Sequence, residues 1–173
     1  LTQELSLSIQ TPWLIPLYGF AGMLVSLPWA SGLFRRDAHR PAAYLNILLT
    51  LLAFAHGSLI LQQVVQSGPV DLAFPWLTVA DLELDISFSL SLTNVVALEL
   101  ITGLSLFSQV YSLGYMDKEW ALARFFALLG FFEGAMSGVV LSDSLFQSYF
   151  LLEMLTLSAY LLGGFWYAQP LVI

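Results

Sequence analysis

The sequence predicts an all-α membrane protein: five transmembrane helices with a small β-hairpin between the second and the third. Three observations predict it. Hydrophobic residues fill 58% and charged residues 10% of the 173 positions, whereas soluble domains run at about 45–50% and about 25%. The apolar residues gather into five runs, each close to or longer than the roughly 20 residues needed to cross a ~30 Å hydrocarbon core. One connection alone is long enough to fold by itself, and it alternates apolar and polar residues.

The first run, Trp13 to Phe34, follows no basic segment and is long enough to span, so it reads as a retained helix and not a cleaved leader. Pro16 and Pro28 are its expected kink points. Pro41 to Val65 is the second run. In the connection from Gln66 to Ser89, Leu82, Leu84, Ile86 and Phe88 alternate with Glu83, Asp85, Ser87 and Ser89. That period of two, with Gly68-Pro69 and Pro75 upstream, predicts a hairpin over about 70–89 that caps the bundle or meets a neighbouring subunit. The third run, Leu90 to Met116, is long enough to need tilt or to project from the bilayer. Ala121 to Leu141 and Leu145 to Tyr167 complete the set, leaving residues 1–173 as one membrane domain with no room for a soluble one. Gly19 with Gly22, Gly130 with Gly134, and Gly163 with Gly164 read as sites of close helix approach.

Charge sets the expected orientation. All five basic residues, Arg35, Arg36, Arg40, Lys118 and Arg124, lie beside the connections after the first and third helices. Glu4, Asp71, Asp81, Glu83, Asp85 and Asp143 lie on the other side, which has no Lys or Arg. The positive-inside rule then makes the arginine-bearing side cytoplasmic and the N-terminus external or lumenal.

Glu99, Glu133 and Glu153 interrupt the apolar runs. An ionised side chain at mid-helix costs about 2.5–3.5 kcal/mol even on lenient scales, so such residues face a bundle interior, a partner or water. Glu133 and Glu153 each lie ten residues from Asp143 in the turn, about 15 Å at a helical rise of 1.5 Å. By the same counting Glu99 and His56 fall at a similar depth, and four titratable groups are expected in one layer. Tyr149, Glu153, Thr156 and Tyr160 share a helix face, Ser137 follows Glu133 by one turn, and Thr102, Gln109 and Ser112 lie roughly on the side of Glu99. Carboxyls, hydroxyls and water so arranged form the hydrogen-bonded chain that proton movement requires. For each there is a plainer reading: His56 as a packing histidine, and Glu99 and Glu133 as neutral acids satisfied by a hydroxyl or a carbonyl. No intramembrane lysine or arginine is available as a partner, so either these acids carry protons much of the time or a cation comes from other sequence.

The chain has no cysteine, which excludes Cys-ligated iron–sulfur clusters and CxxC metal sites, and its histidines are far apart. No metal and no cofactor is expected in it. Nucleic acid is excluded as a partner by the net charge of -7 and the hydropathy; the lipid bilayer is the expected surrounding.

The segments SLFSQVYSLGYM, ARFFALL and VVLSDSLFQSYFLLEMLTLSAYLLGGFWY, between Ser105 and Tyr167, resemble the NdhF and NuoL type of antiporter-like complex I subunit, and nearly as closely the related large subunit of Mrp-type cation/proton antiporters. A weaker likeness covers Leu82 to Leu92. The resemblance implies an antiporter-like fold of about fourteen helices with inverted five-helix repeats, of which this chain is an N-terminal fragment. It implies that Glu153, in the LLE motif, pairs with a lysine on a later, broken helix, and that Asp143 is the acidic residue of the preceding turn. This sequence departs from the family in having Leu152 where Trp is usual, Gln109 where His is common, and acids at Glu99 and Glu133. These departures, with LLEMLTLS and FWYAQP, resemble the cyanobacterial variant that works with a CO2-uptake module.

The implied function is proton translocation in the membrane arm of a photosynthetic complex I, in a cyanobacterial thylakoid membrane with the N-terminus lumenal. Glu153, Glu133, Glu99, His56 and Asp143 would carry the proton, supported by Tyr149, Thr156, Tyr160, Ser137 and Thr102. Flavin or iron–sulfur clusters and plastoquinone would belong to other subunits. An NdhD-like neighbour and a CO2-hydration subunit would be partners. A stand-alone Na+/H+ antiporter subunit and a purely structural spacer are the competing expectations.

Overall fold

The computed structural model describes residues 7–34, 40–79, 82–116, 119 and 121–166, with backbone alone for 7, 8, 78, 79, 82 and 83. Glu4, Arg35, Arg36, Asp81, Lys118 and Tyr167 lie outside the described residues, as does the side chain of Glu83. In chain order the elements are α1 (Leu7–Gln10), α2 (Leu14–Ala30), α3 (Arg40–Ser67), β1 (Val70–Val79), β2 (Leu82–Leu90), α4 (Leu92–Tyr115), α5 (Leu122–Leu141) and α6 (Leu145–Gly163). The expected all-α membrane fold with its hairpin is present: α3, α4, α5 and α6 are each long and apolar enough to cross a membrane.

The first helix is shorter than its apolar run. α2 has 17 residues, about 26 Å, because the chain turns after Ala30 instead of continuing to Phe34. Gly32 takes φ 80°, a left-handed conformation that glycine adopts without penalty, and the Phe34 amide reaches back to the Pro28 carbonyl at 3.1 Å. α6 likewise stops at Gly163, short of Tyr167, with Gly164 as its C-cap. The short α1 was not expected; its Ile9 is buried against the hairpin end of the bundle.

α5 is the hub, packed against α2, α3, α4 and α6. Small residues permit its crossing with α2. A Cβ on Gly19 would overlap the Gly134 backbone nitrogen, and one on Gly134 would stand 2.9 Å from Phe20 N and 2.9 Å from the Pro16 carbonyl. Dispersion and close backbone approach hold such crossings together where lipid removes the hydrophobic drive. Among the described residues Gly163 and Gly164 do not act in this way: a Cβ on Gly163 meets nothing within 4 Å, and one on Gly164 meets only the Tyr160 carbonyl of its own helix.

Successive helices run antiparallel, and two apolar clusters mark the two ends. Ile9, Ile15, Val64, Phe88, Leu90, Val95 and Leu141 close the hairpin end. Ala43, Met116, Leu122, Phe126 and Phe165 close the other, where the Arg124 guanidinium lies 5.7 Å from the centre of the Phe165 ring.

β1 and β2 pair antiparallel, and the register slips between Pro75 and Leu77. Proline cannot donate to the ladder, and the slip is a bulge placed where the pairing is already interrupted. The hairpin folds onto the α5–α6 turn. The Asp143 amide donates to Ser87 O at 3.1 Å, the Ser87 amide donates to Gln147 Oε1 at 3.0 Å, and Trp76 stacks on Phe146 with ring centres 5.9 Å apart.

Candidate proton site

α3 is long and mostly apolar, yet it directs Asn46 and Thr50, one turn apart, into the bundle, where both are 1% exposed. Thr50 meets Glu133 from α5 and Gln109 from α4, each also 1% exposed. The Thr50 hydroxyl donates to Glu133 Oε2 at 2.6 Å. Gln109 Nε2 donates to Thr50 Oγ1 at 2.7 Å and to Glu133 Oε2 at 3.0 Å. Two helices, α3 and α4, thus deliver two donors onto one carboxyl oxygen carried by a third, α5. A turn away, Asn46 Nδ2 donates to Ser26 Oγ and to the Phe126 carbonyl, both at 3.0 Å, tying α2 and α5 to α3.

Glu99 forms a separate station. Its Oε2 accepts from the Ser58 hydroxyl at 3.2 Å, and a Cβ on Gly57 would stand 2.6 Å from its Oε1; Gly57 is the gap that admits this carboxyl. His56, on the same turn of α3, sets its ring edge-on to Tyr18 of α2 with centres 6.1 Å apart.

The expected single layer of four titratable groups is corrected by these contacts. Ser58 is eight residues beyond Thr50 on α3, and Glu99 is ten residues before Gln109 on α4. Glu99 therefore sits about 12–15 Å nearer the hairpin end than Glu133, and His56 about 9 Å nearer. Counting inward from the helix ends failed because the ends are not level. Thr50 lies seventeen residues from the hairpin end of α3 and Gln109 seventeen from that of α4, whereas Glu133 lies eight from the end of α5. α3 and α4 overhang α5 by about 13 Å, and the hairpin fills the step.

Glu153 does share the depth of Glu133. Leu151 packs over Gly138, which a Cβ would approach to 3.0 Å, so Glu153 lies within about 5 Å of the Glu133 level along the helix axes. It points the other way, since two residues along a helix turn a side chain by about 200° from the packed Leu151. Glu153 and Thr156 are exposed, as are Tyr149 at 65% and Tyr160 at 77%. Glu153, Thr156, Tyr160, Phe150, Met154 and Leu157 line an open cleft on this face. Asp143, exposed in the turn, meets the hairpin through its backbone.

Several hydroxyls expected to support a relay are occupied with their own helices. Thr102 donates to the Leu98 carbonyl at 3.0 Å, Ser137 to that of Glu133 at 2.8 Å and Thr156 to that of Glu153 at 2.9 Å. Sequence reasoning missed Thr50 and Asn46 and grouped Gln109 with Glu99, whereas its amide serves Glu133. The signal was available: two polar residues at i and i+4 in an apolar run mark an inward stripe. Among the described residues no three His, Cys, Asp or Glu gather closely enough to hold a metal ion.

Comparison with known proteins accords with the segments that carry the resemblance. Residues 76–126 match the family model described as NADH-Ubiquinone oxidoreductase (complex I), chain 5 N-terminus. The chain is 70% identical to NAD(P)H-quinone oxidoreductase subunit 5, organellar chromatophore 2, of Paulinella chromatophora, over 100% of this chain and 28% of that relative. It is 32% identical to the chloroplastic NAD(P)H-quinone oxidoreductase subunit 5 of Chlorokybus atmophyticus, over 91% of this chain and 25% of the relative. The corresponding subunit of Lotus japonicus is also 32% identical, over 93% and 21%. The chain thus spans about a quarter of the length of the curated relatives it matches. With its apolar helices and these likenesses, the chain is an integral membrane protein that belongs to the complex I chain 5 family.

Proposed function

We propose that this chain is the N-terminal part of a proton-translocating membrane-arm subunit of a photosynthetic complex I-type quinone oxidoreductase, with Glu153 as its exchanging acid. The observation that carries the reading is the 70% identity along the whole chain to a subunit 5 from a chromatophore, joined to a carboxyl left open on the outer face of α6. A mid-helix acid of this kind faces a partner or water. A cationic side chain from the rest of the subunit would fit there; its approach would release the Glu153 proton and its withdrawal would let the proton load again. Glu133, Glu99, His56 and Asp143 are separate stations at their own depths. Electron transfer, with flavin or iron–sulfur clusters and plastoquinone, belongs to other subunits.

The finer reading places the chain in a thylakoid membrane, with the ends of α3 and α5 that bear Arg40 and Arg124 cytoplasmic and the hairpin lumenal. An NdhD-like subunit would be its neighbour, and the CO2-uptake variant, with a CO2-hydration subunit, is the form favoured by the added acids at Glu99 and Glu133. The test is proton uptake by membranes carrying the full-length subunit with Glu153→Gln, at equal complex abundance and fixed electron input. Loss of proton movement is expected. Undiminished movement would leave the chain a structural spacer.

A further inference from the structure

The hydrogen atoms of the buried cluster can be counted. Gln109 Nε2 has two, spent on Thr50 Oγ1 and Glu133 Oε2, and Thr50 has one, spent on Glu133 Oε2. Glu133 Oε1 and Gln109 Oε1 remain, both buried and both without a donor among the described residues. Two adjacent side chains each lack a bond at an oxygen, in a bundle where an unmade bond to a buried polar atom costs about 1–3 kcal/mol.

One further hydrogen held between these two oxygens would satisfy both. We propose that Glu133 and Gln109 form a proton-binding acid–amide pair, with the proton on Glu133 Oε1 and Gln109 Oε1 as its acceptor, reached by water through the cleft between α4 and α5. Acid and amide are complementary: the amide N–H donates to one carboxyl oxygen while the acid O–H donates to the amide oxygen. The neutral acid also avoids an ionised group in mid-membrane.

Other occupants fit less well. A monovalent cation would need more oxygen ligands than these two. Of the other two buried acceptors without a donor among the described residues, Glu99 Oε1 belongs to the separate station beside Gly57, and Asn46 Oδ1 is wedged between α2 and α5, 2.8 Å from where a Cβ of Gly22 would stand and 3.0 Å from that of Gly130. The titratable groups on the surrounding helices include Tyr18 on α2, His56 on α3, Glu99 on α4 and Glu153 on α6, and none of them bonds to the Glu133 carboxyl. Access is supplied by a cleft of about 260 Å³ in which Ser105, Ser108 and Gln109 are the polar residues among apolar ones such as Leu129 and Phe132. Gln109 lines that cleft and bonds to Glu133, so it is the positioning residue between water and acid.

The pair deepens the proposed function and rests on that reading for its use, though not for its existence. The test reads protonation directly, by infrared spectroscopy of the full-length subunit in its intact complex at neutral pH. A protonated carboxyl C=O band is expected, lost in Glu133→Gln and shifted in frequency by Gln109→Leu. In D2O the band should shift by exchange, and Ser108→Phe, which fills the cleft, should slow that exchange about tenfold while leaving the band in place. A carboxylate band lost in Glu133→Gln would overturn the proposal, as would a band indifferent to Gln109→Leu, exchange unaffected by Ser108→Phe, or displacement of the band by added Na+. If Glu133→Gln does not assemble, the frequency response to Gln109→Leu decides. Failure of the Glu153 proposal would leave all these bands unchanged.

Discussion

Glu133 and Glu153 are mid-helix carboxyls on adjacent antiparallel helices at nearly the same depth, and the bundle treats them oppositely. Glu133 is enclosed by α3, α4 and α5, and two polar side chains from two other helices bond to it. Glu153 lies on the face of α6 turned away from α5, ringed by exposed Tyr160, Phe150 and Leu157. An acid in lipid surroundings needs a partner, a proton or water, and the contrast separates two ways of providing one. Among the described residues the interior site is built by α3, α4 and α5, whereas the α6 site lies on a face that these helices leave open. Stability should therefore respond to changes around Glu133, and transport to changes around Glu153.

The largest structural effect should come from the crossing that brings α2 and α5 together and so fixes where Glu133 stands. Gly134→Leu places a side chain against the backbone of Phe20 and Pro16, and a loss of roughly 3 kcal/mol or more is expected, seen as failure of the subunit to accumulate in the complex. Gly163→Ala, with open space around it, should change accumulation little. Equal damage from both would mean that the α6 end is covered as tightly as the interior. Glu133→Ala should follow at about 2–4 kcal/mol, since it leaves a cavity and strips buried donors of their acceptor; thermal unfolding of the complex measures it. Glu153→Ala should leave unfolding nearly unchanged while proton movement falls about tenfold or more, the magnitude typical of losing a general acid–base group.

Sequence reasoning resolved the two sites unequally, for physical reasons. Apolar run lengths and strand alternation are local signals, so α3, α4, α5 and the hairpin came out within a few residues of their ends. α2 was overextended because Ser31, Leu33 and Phe34 do not break the apolar run, although Gly32 turns the chain. The three glutamates stood out because charge in an apolar run is conspicuous. What could not be read was how far one helix slides past another. That offset of about 13 Å moved Glu99 and His56 out of the Glu133 layer and put Gln109 into it. Thr50 escaped notice for a different reason: a hydroxyl in an apolar helix most often bonds to its own backbone, as Thr102 does, and only the arrival of Glu133 makes Thr50 a partner instead.

The smallest effects sharpen the comparison along α3, which serves one acid from its middle and another from nearer the hairpin. Thr50→Val keeps the shape and deletes the 2.6 Å donor to Glu133, leaving Gln109 as the remaining bond to that oxygen; a loss of about 1 kcal/mol is expected, the net worth of one buried hydrogen bond. Ser58→Ala deletes the 3.2 Å donor to Glu99, but Ser58 is itself exposed and also bonds to the Phe54 carbonyl of its own helix at 3.0 Å. Its replacement should cost under about 0.5 kcal/mol, as for other surface changes. Denaturation of the two variants in the same detergent would measure both. A Ser58→Ala loss as large as that of Thr50→Val would show that Glu99 is enclosed in the assembled protein and belongs with Glu133; a negligible one would leave Glu99 on the open side, with Glu153.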